Sequence, residues 1–179
     1  MANLNPSQTL PAASFASRLT TATIRTRSVL CVGIDPHPGL MPELFGGQNH
    51  MPGSAQAIKH LEAFSQAIIE AATGLVPAIK LQVAFFEQHG PEGLRVLSSL
   101  AIEARQRELL VIMDAKRGDI GTTAQAYAEA WLGPDAIFAA DAMTLNPYLG
   151  FDSLEPFIRR ARQTLSGAVS YTHLTLPTT

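Results

Sequence analysis

Several residues and segments that define large protein classes are scarce or absent in this sequence. One cysteine among 179 residues excludes an internal disulfide. Charged residues make up 16% of the chain and the formal net charge is −2, which gives no basic surface for nucleic acid. No apolar run is long enough to cross a membrane, and residues 1–13 lack the basic start and apolar centre of a secretory signal. We therefore expect a cytoplasmic protein that binds neither nucleic acid nor a membrane.

Sequence patterns for metal sites and nucleotide-binding loops are also missing. The five histidines show no metal-ligand spacing, and His37 and His50 are expected at the surface of a loop rich in proline and glycine. Neither a Gly-x-Gly-x-x-Gly segment nor a Walker loop is present, which disfavours a dinucleotide-binding or P-loop fold. Cys31 lies in an apolar run, residues 29–34, and is predicted to be an inert core residue.

What the sequence does contain is a regular alternation of short apolar segments and amphipathic segments. Hydrophobic residues make up 46% of the chain, enough for the core of one domain. The predicted strands are residues 28–36, 75–82, 108–113 and 135–144. The predicted helices are residues 14–25, 55–73, 91–107, 122–131 and 153–163. Ser14 is expected to cap the first helix, which contacts the core through Phe15, Leu19 and Ile24.

The order of these elements predicts a parallel sheet, because each strand is followed by a helix at the spacing of a βα unit. A (β/α)8 TIM barrel fits this order best. Complete barrels have about 250 residues, so residues 14–169 would hold only about the first four to five βα units. Residues 1–13 are expected to form a flexible arm.

The segment 114–120, Asp-Ala-Lys-Arg-Gly-Asp-Ile, follows the third predicted strand and carries alternating charges. In an extended chain, residues two apart point the same way, so Asp114 and Lys116 should share a face. Gly118 is expected to let the chain turn, and Asp119 to begin the next helix, where a carboxylate suits the positive helix end.

Ionisable residues follow or end three of the predicted strands. Asp35, Lys80, Asp114 and Lys116 all fall at the C-terminal strand ends, where barrels have their active sites. Four such groups converging from three strands are harder to explain as solvated surface than one charged loop. The pattern therefore favours a catalytic site.

Residues 114–123, with the pattern Asp-x-Lys-x-x-Asp-Ile-Gly-x-Thr, resemble the characteristic motif of orotidine 5′-phosphate decarboxylases. The short Asp-x-Lys-x-x-Asp part alone is shared with sugar-phosphate relatives. Residues 32–36, 80–87 and 144–150 also resemble the longer bacterial branch of the family, which makes the match more specific. The similarity extends over most of residues 15–165.

The resemblance implies a decarboxylation of orotidine monophosphate to uridine monophosphate, the last step of pyrimidine synthesis, without metal or other cofactor. It implies a homodimer with two active sites at the subunit interface. By position, the family's charged tetrad corresponds to Lys80, Asp114, Lys116 and Asp119. Lys116 would donate a proton to C6 of the pyrimidine.

The resemblance also implies substrate-binding roles. Asp35 and Lys80 would hold ribose hydroxyls, while Asp119 and Thr123 would reach the ribose in the partner's site. Two alternatives stay open: a magnesium-dependent sugar-phosphate aldolase or decarboxylase of the same superfamily, and a non-catalytic half-barrel that binds a ligand.

The final residues, 170–179, differ from the rest of the chain, because they contain four threonines and no charged residue. They resemble translated adapter sequence, so we expect native sequence to end near Val169 and the tail to be foreign. The family's phosphate-binding loops come late in the barrel. A 179-residue product without them is expected to be inactive and poorly soluble.

Overall fold

Five parallel strands form one sheet, and their order in the sheet is their order in the chain. The computed structural model describes residues 13–47, 51–138 and 140–170. The strands are β1 Cys31–Ile34, β2 Ala78–Gln82, β3 Leu110–Arg117, β4 Ala142–Leu145 and β5 Gly167–Ser170. Consecutive parallel strands joined through helices are the arrangement of a (β/α) barrel. The predicted fold is confirmed as an incomplete barrel of five strands.

Six α-helices connect or precede these strands in the described part of the chain. They are α1 Phe15–Thr26, α2 Ala55–Ala72, α3 Ala84–Glu87, α4 Gly90–Gln106, α5 Gly121–Leu132 and α6 Glu155–Thr164. As predicted, Ser14 caps α1, since its Oγ accepts a hydrogen bond from the Ser17 N–H at 3.3 Å. None of the described helices is both long and apolar enough to span a bilayer.

The core lies between the sheet and the helices that cover it. Its largest fully buried side chains include Phe86, Phe157, Leu61, Ile79 and Met113. Phe86 is completely buried. The neighbouring Phe85 is half-buried, and its ring packs edge-on against His37 with centroids 5.4 Å apart.

Three predictions about apolar residues were wrong. Cys31 is exposed, because β1 is an edge strand that pairs only with β2 among the described residues. Ile24 is 72% exposed, because it lies off the stripe of Phe15, Leu19 and Ala22 that faces the sheet. Residues 135–138 form turns instead of the start of β4, and the Phe138 ring stacks on another aromatic ring at 4.1 Å.

Some predictions concern residues that the structure does not describe. His50, residues 1–12 of the predicted arm and residues 171–179 of the predicted tail all lie outside the described residues. Ser170, the first residue of the predicted tail, belongs to β5.

Helix α1 lies across the N-terminal ends of the strands. Ala22 packs against Ala78 and Leu110, which begin β2 and β3. Arg18 forms an ion pair with Asp141, the residue before β4, and Asp141 is only 3% exposed. The Asp141 carboxylate also accepts a hydrogen bond from the Val111 N–H at 2.9 Å, and Arg105 Nε lies 3.9 Å from it. A buried carboxylate therefore fixes α1 to the sheet.

Replacing Arg18 with methionine is expected to lower the free energy of unfolding by about 3 kcal/mol, because the buried Asp141 charge loses its ion pair and keeps the Val111 N–H and the more distant Arg105. Arg25→Met is the matched control on the same helix. Its pair with Glu108 is exposed, and its loss should cost less than about 1 kcal/mol. Urea denaturation of both variants measures the difference, and equal losses would contradict the assigned role of Arg18.

Candidate active site

Strand β3 is longer at its C-terminal end than the sequence predicted. The prediction ended the strand at Met113, whereas β3 continues to Arg117. The ladder continues because Asp114 pairs with Gln82 of β2 and Arg117 pairs with Leu145 of β4. Asp114, Lys116 and Arg117 of the motif are thus held by a strand, whereas Asp119 lies in the connection to α5.

The carboxylate of Asp114 is the centre of a network formed by three strands. Its Oδ1 accepts hydrogen bonds from Lys116 Nζ at 2.7 Å and from Thr144 Oγ1 at 2.8 Å. Its Oδ2 accepts hydrogen bonds from Lys80 Nζ at 2.8 Å and from Gln82 Nε2 at 3.0 Å. Four donors therefore surround one carboxylate that is 4% exposed. The prediction that Asp114 and Lys116 share a face is confirmed.

The environment of Asp114 strongly favours its charged form. Burial alone would raise the pKa of this carboxyl, but the hydrogen bonds from Lys116, Lys80 and Thr144, together with the charge of Lys80, outweigh it and lower the pKa to about 2. The carboxylate is therefore negative throughout the physiological range and holds two ammonium groups beside it.

Asp35 follows β1 directly and is exposed. Gly33 pairs with Lys80 across the β1–β2 ladder, and a Cβ on Gly33 would lie 2.8 Å from Asp35 Oδ2. The Asp35 carboxylate thus lies over Gly33, on the face of the sheet from which Lys80 projects. Asp35 therefore lies at the C-terminal end of β1, on the same face of the sheet as Lys80.

Asp119 and Thr123 are not among the residues that hydrogen-bond Asp114. Asp119 is half-buried, and its Oδ1 accepts a hydrogen bond from the Ile120 N–H at 2.8 Å. Ile120 and not Asp119 occupies the N-cap position of α5, without a side-chain cap. Thr123 is exposed in the first turn of that helix.

The predicted role of Gly118 was also wrong. The positive φ angles near the motif belong to Lys116 (49°) and Gly121 (55°). A Cβ on Gly118 would lie 2.7 Å from the carbonyl oxygen of Asn146, so glycine is needed there for close approach of two chains.

Sequence reasoning did not single out Gln82 or Thr144. Gln82 lies two residues after Lys80 in the same strand, so the period of two could have identified it. Thr144 had no such signal, because its contact with Asp114 depends on the register of β3 against β4. Residues 13–47, 51–138 and 140–170 contain no cluster of three acidic, histidine or cysteine side chains that could hold a metal ion.

A model of one protein family matches residues 28–178 of this sequence and is described as the orotidine 5′-phosphate decarboxylase / HUMPS family. The chain belongs to this family. The match includes the whole strand-end network and the segments whose resemblance was noted above. The predicted family is therefore confirmed.

Curated family members from bacteria show the same relationship. The chain is 44% identical over 148 residues to an orotidine 5′-phosphate decarboxylase of Nocardioides sp., a match that covers 83% of this chain and 51% of the relative. It is 45% identical over 153 residues to that of Streptomyces coelicolor, with 86% and 52% covered. The chain thus spans about half the length of the curated relatives it matches.

Solved structures in the family have a similar fold. A crystal structure of a Streptomyces avermitilis protein superposes with a TM-score of 0.80 at 42% identity, covering 94% of this chain and 55% of the other. The structure of Leishmania donovani OMP decarboxylase gives a TM-score of 0.68 at 32% identity, covering 88% and 52%.

The low pKa of Asp114 predicts a specific loss of stability in acid. Because the folded-state pKa lies below the unfolded one, the charged carboxylate stabilises the fold above about pH 4, and this contribution disappears as the pH falls towards 2. We expect the charged Asp114 to contribute about 2 kcal/mol to the free energy of unfolding, a value reduced to allow for solvent screening at the partly exposed lysines.

Denaturation of the parent and of Asp114→Asn from pH 6 to pH 2 isolates this contribution. The difference in free energy of unfolding between the two should shrink over the acidic part of that range. A difference that stays constant with pH would contradict the assignment.

Proposed function

We propose that the protein carrying this sequence decarboxylates orotidine 5′-phosphate to uridine 5′-phosphate. The observation that carries the proposal is the array Lys80–Asp114–Lys116, in which one buried carboxylate holds two ammonium groups at the C-terminal edge of a parallel sheet. Family membership and the names of the curated relatives support the same reaction.

The array suits a reaction that leaves negative charge on a ring carbon. Loss of carbon dioxide from C6 produces a carbanion with little delocalisation. An ammonium group already fixed near that carbon stabilises the developing charge without reorganising during the reaction. Lys116 would be this group, and it would then deliver its proton to C6, a step typically worth about 10²–10⁴-fold in rate.

Asp114 would act mainly on Lys116. Its carboxylate lies 2.7 Å from Lys116 Nζ, so it holds that ammonium in place. Lys80 pairs with the same carboxylate, and Asp35 lies on the same face of the sheet as Lys80. These two residues would hold the ribose hydroxyls. The reaction would need neither a metal nor another cofactor.

Replacing Lys116 with alanine in the protein expressed from its intact reading frame should abolish decarboxylation, while a nucleotide product such as uridine 5′-phosphate still binds. Turnover can be followed by the loss of orotidine absorbance and binding by calorimetry. Lys59→Ala, an exposed lysine on α2, is the control and should keep full activity. Retained turnover in Lys116→Ala would refute the role of Lys116.

The same assay separates the alternatives. A magnesium-dependent sugar-phosphate aldolase or decarboxylase would lose activity on treatment with a chelator, whereas the proposed enzyme would not. A non-catalytic half-barrel would bind nucleotide without turnover, even when expressed from the intact reading frame. The cytoplasmic location expected from the sequence stays a prediction.

We also infer that two copies of the protein share their active sites. Exposed apolar side chains cluster on the loops that follow β3 and β4, where Ile120 is 62%, Tyr148 79% and Phe151 76% exposed. The two loops run side by side, since the Asn146 N–H donates to the Arg117 carbonyl at 2.8 Å. Exposed apolar residues beside a site favour a protein partner.

A second copy is the partner that explains the positions of Asp119 and Thr123. Both belong to the family's motif, and neither hydrogen-bonds Asp114 in its own chain. A twofold arrangement would let each copy contribute these two residues to the ribose site of the other.

Mixing two inactive variants tests this arrangement. Lys116→Ala and Asp119→Ala each remove one residue of a shared site, but a mixed dimer regains one complete site. After subunit exchange at equal concentrations, random pairing should restore about a quarter of the wild-type activity. Activity that stays at the level of the separate variants would show that Asp119 acts within its own chain.

A further inference from the structure

The ladder between β3 and β4 is irregular at the motif. Ile112 pairs with Ala142 and Met113 with Met143, but the next pair is Arg117 with Leu145. Four residue steps along β3 therefore correspond to two along β4. An insertion of this kind is a β-bulge, which redirects side chains and leaves backbone groups without their ladder partners.

Thr144 lies opposite the bulge, between the two regular pairs. It is buried, and its Oγ1 accepts a hydrogen bond from the Lys116 N–H at 3.0 Å. The same hydroxyl donates its only hydrogen to Asp114 Oδ1 at 2.8 Å. One side chain therefore replaces the ladder partner of Lys116 and also contacts the carboxylate that holds the Lys116 ammonium.

The backbone of Lys116 needs such support. Its φ angle is 49°, in the left-handed region that a residue with a side chain enters at a cost. The conformation persists only where the surrounding contacts impose it. The hydrogen bond to Thr144 is one such contact, and it fixes the direction in which the Lys116 side chain leaves the strand.

We propose that Thr144 is a positioning residue, which sets the place of the Lys116 ammonium by holding both the Lys116 backbone amide and the Asp114 carboxylate. The consequence for catalysis rests on the proposed decarboxylase function, whereas the geometric role does not. Because a shift of about 1 Å in a reacting group can reduce the rate about a hundredfold, losing this support should slow turnover more than substrate binding.

Two substitutions separate the effect of the Thr144 hydroxyl from the effect of the side-chain shape. Thr144→Val keeps the volume and removes the hydroxyl, while Thr144→Ser keeps the hydroxyl. Thr73→Val is a matched control, since the Thr73 hydroxyl donates a hydrogen bond of 2.8 Å to the Ile69 carbonyl near the end of α2, away from the network.

The first measurement does not depend on activity. In the protein expressed from its intact reading frame, amide hydrogen exchange of Lys116 followed by NMR should be at least about tenfold faster in Thr144→Val than in the parent, because the amide loses its acceptor. Thr144→Ser and Thr73→Val should keep the parent rate at Lys116. An unchanged rate in Thr144→Val would overturn the geometric role.

The second measurement uses the protein expressed from its intact reading frame. In Thr144→Val, kcat for orotidine 5′-phosphate should fall about tenfold to a hundredfold with little change in KM, and Thr144→Ser should recover most of it. An equal fall of kcat in Thr73→Val would overturn the catalytic consequence. An unchanged kcat in Thr144→Val, together with faster exchange of its Lys116 amide, would overturn it as well. An inactive parent with faster exchange in Thr144→Val would refute the proposed function and leave the geometric role intact.

Discussion

One buried carboxylate holds the C-terminal edge of this sheet together. Lys80 and Lys116 come from adjacent strands, and their ammonium groups would repel each other without the charge of Asp114 between them. The arrangement is stable because four hydrogen-bond donors contact the Asp114 carboxylate, and these contacts compensate for the removal of the carboxylate from water. It requires β2, β3 and β4 in one register, so the fold of three strands and the geometry of the site depend on the same contacts.

The two ends of the sheet use different cations for different purposes. At the N-terminal end, the buried Asp141 pairs with Arg18 and lies near Arg105, whose guanidinium groups serve structure. At the C-terminal end, the buried Asp114 holds lysines, which are compact and able to give up a proton. Under the proposed function, this division follows the general rule that barrels are stabilised at one face and react at the other.

Much of this could be read from the sequence because it depends on local periodicity. The alternation of strands and helices predicted the parallel sheet, and the period of two placed Asp114 and Lys116 on one face. The errors concern contacts between distant segments. Cys31 is exposed because its strand lies at an edge, and Gly118 is needed because Asn146 passes close to it. Thr144 reaches Asp114 only through a bulge, which no pattern within either strand indicates.

The attachment of α1 has a consequence for how the chain is made. Arg18 and its partner Asp141 are 123 positions apart, so α1 leaves the ribosome long before the residue that anchors it exists. At about 5–20 residues per second, that interval is roughly 6–25 seconds, far longer than a helix or a βα unit needs to form. During synthesis α1 can therefore pack against β2 and β3 through Ala22 before Asp141 is made, and the ion pair of Arg18 completes this attachment later.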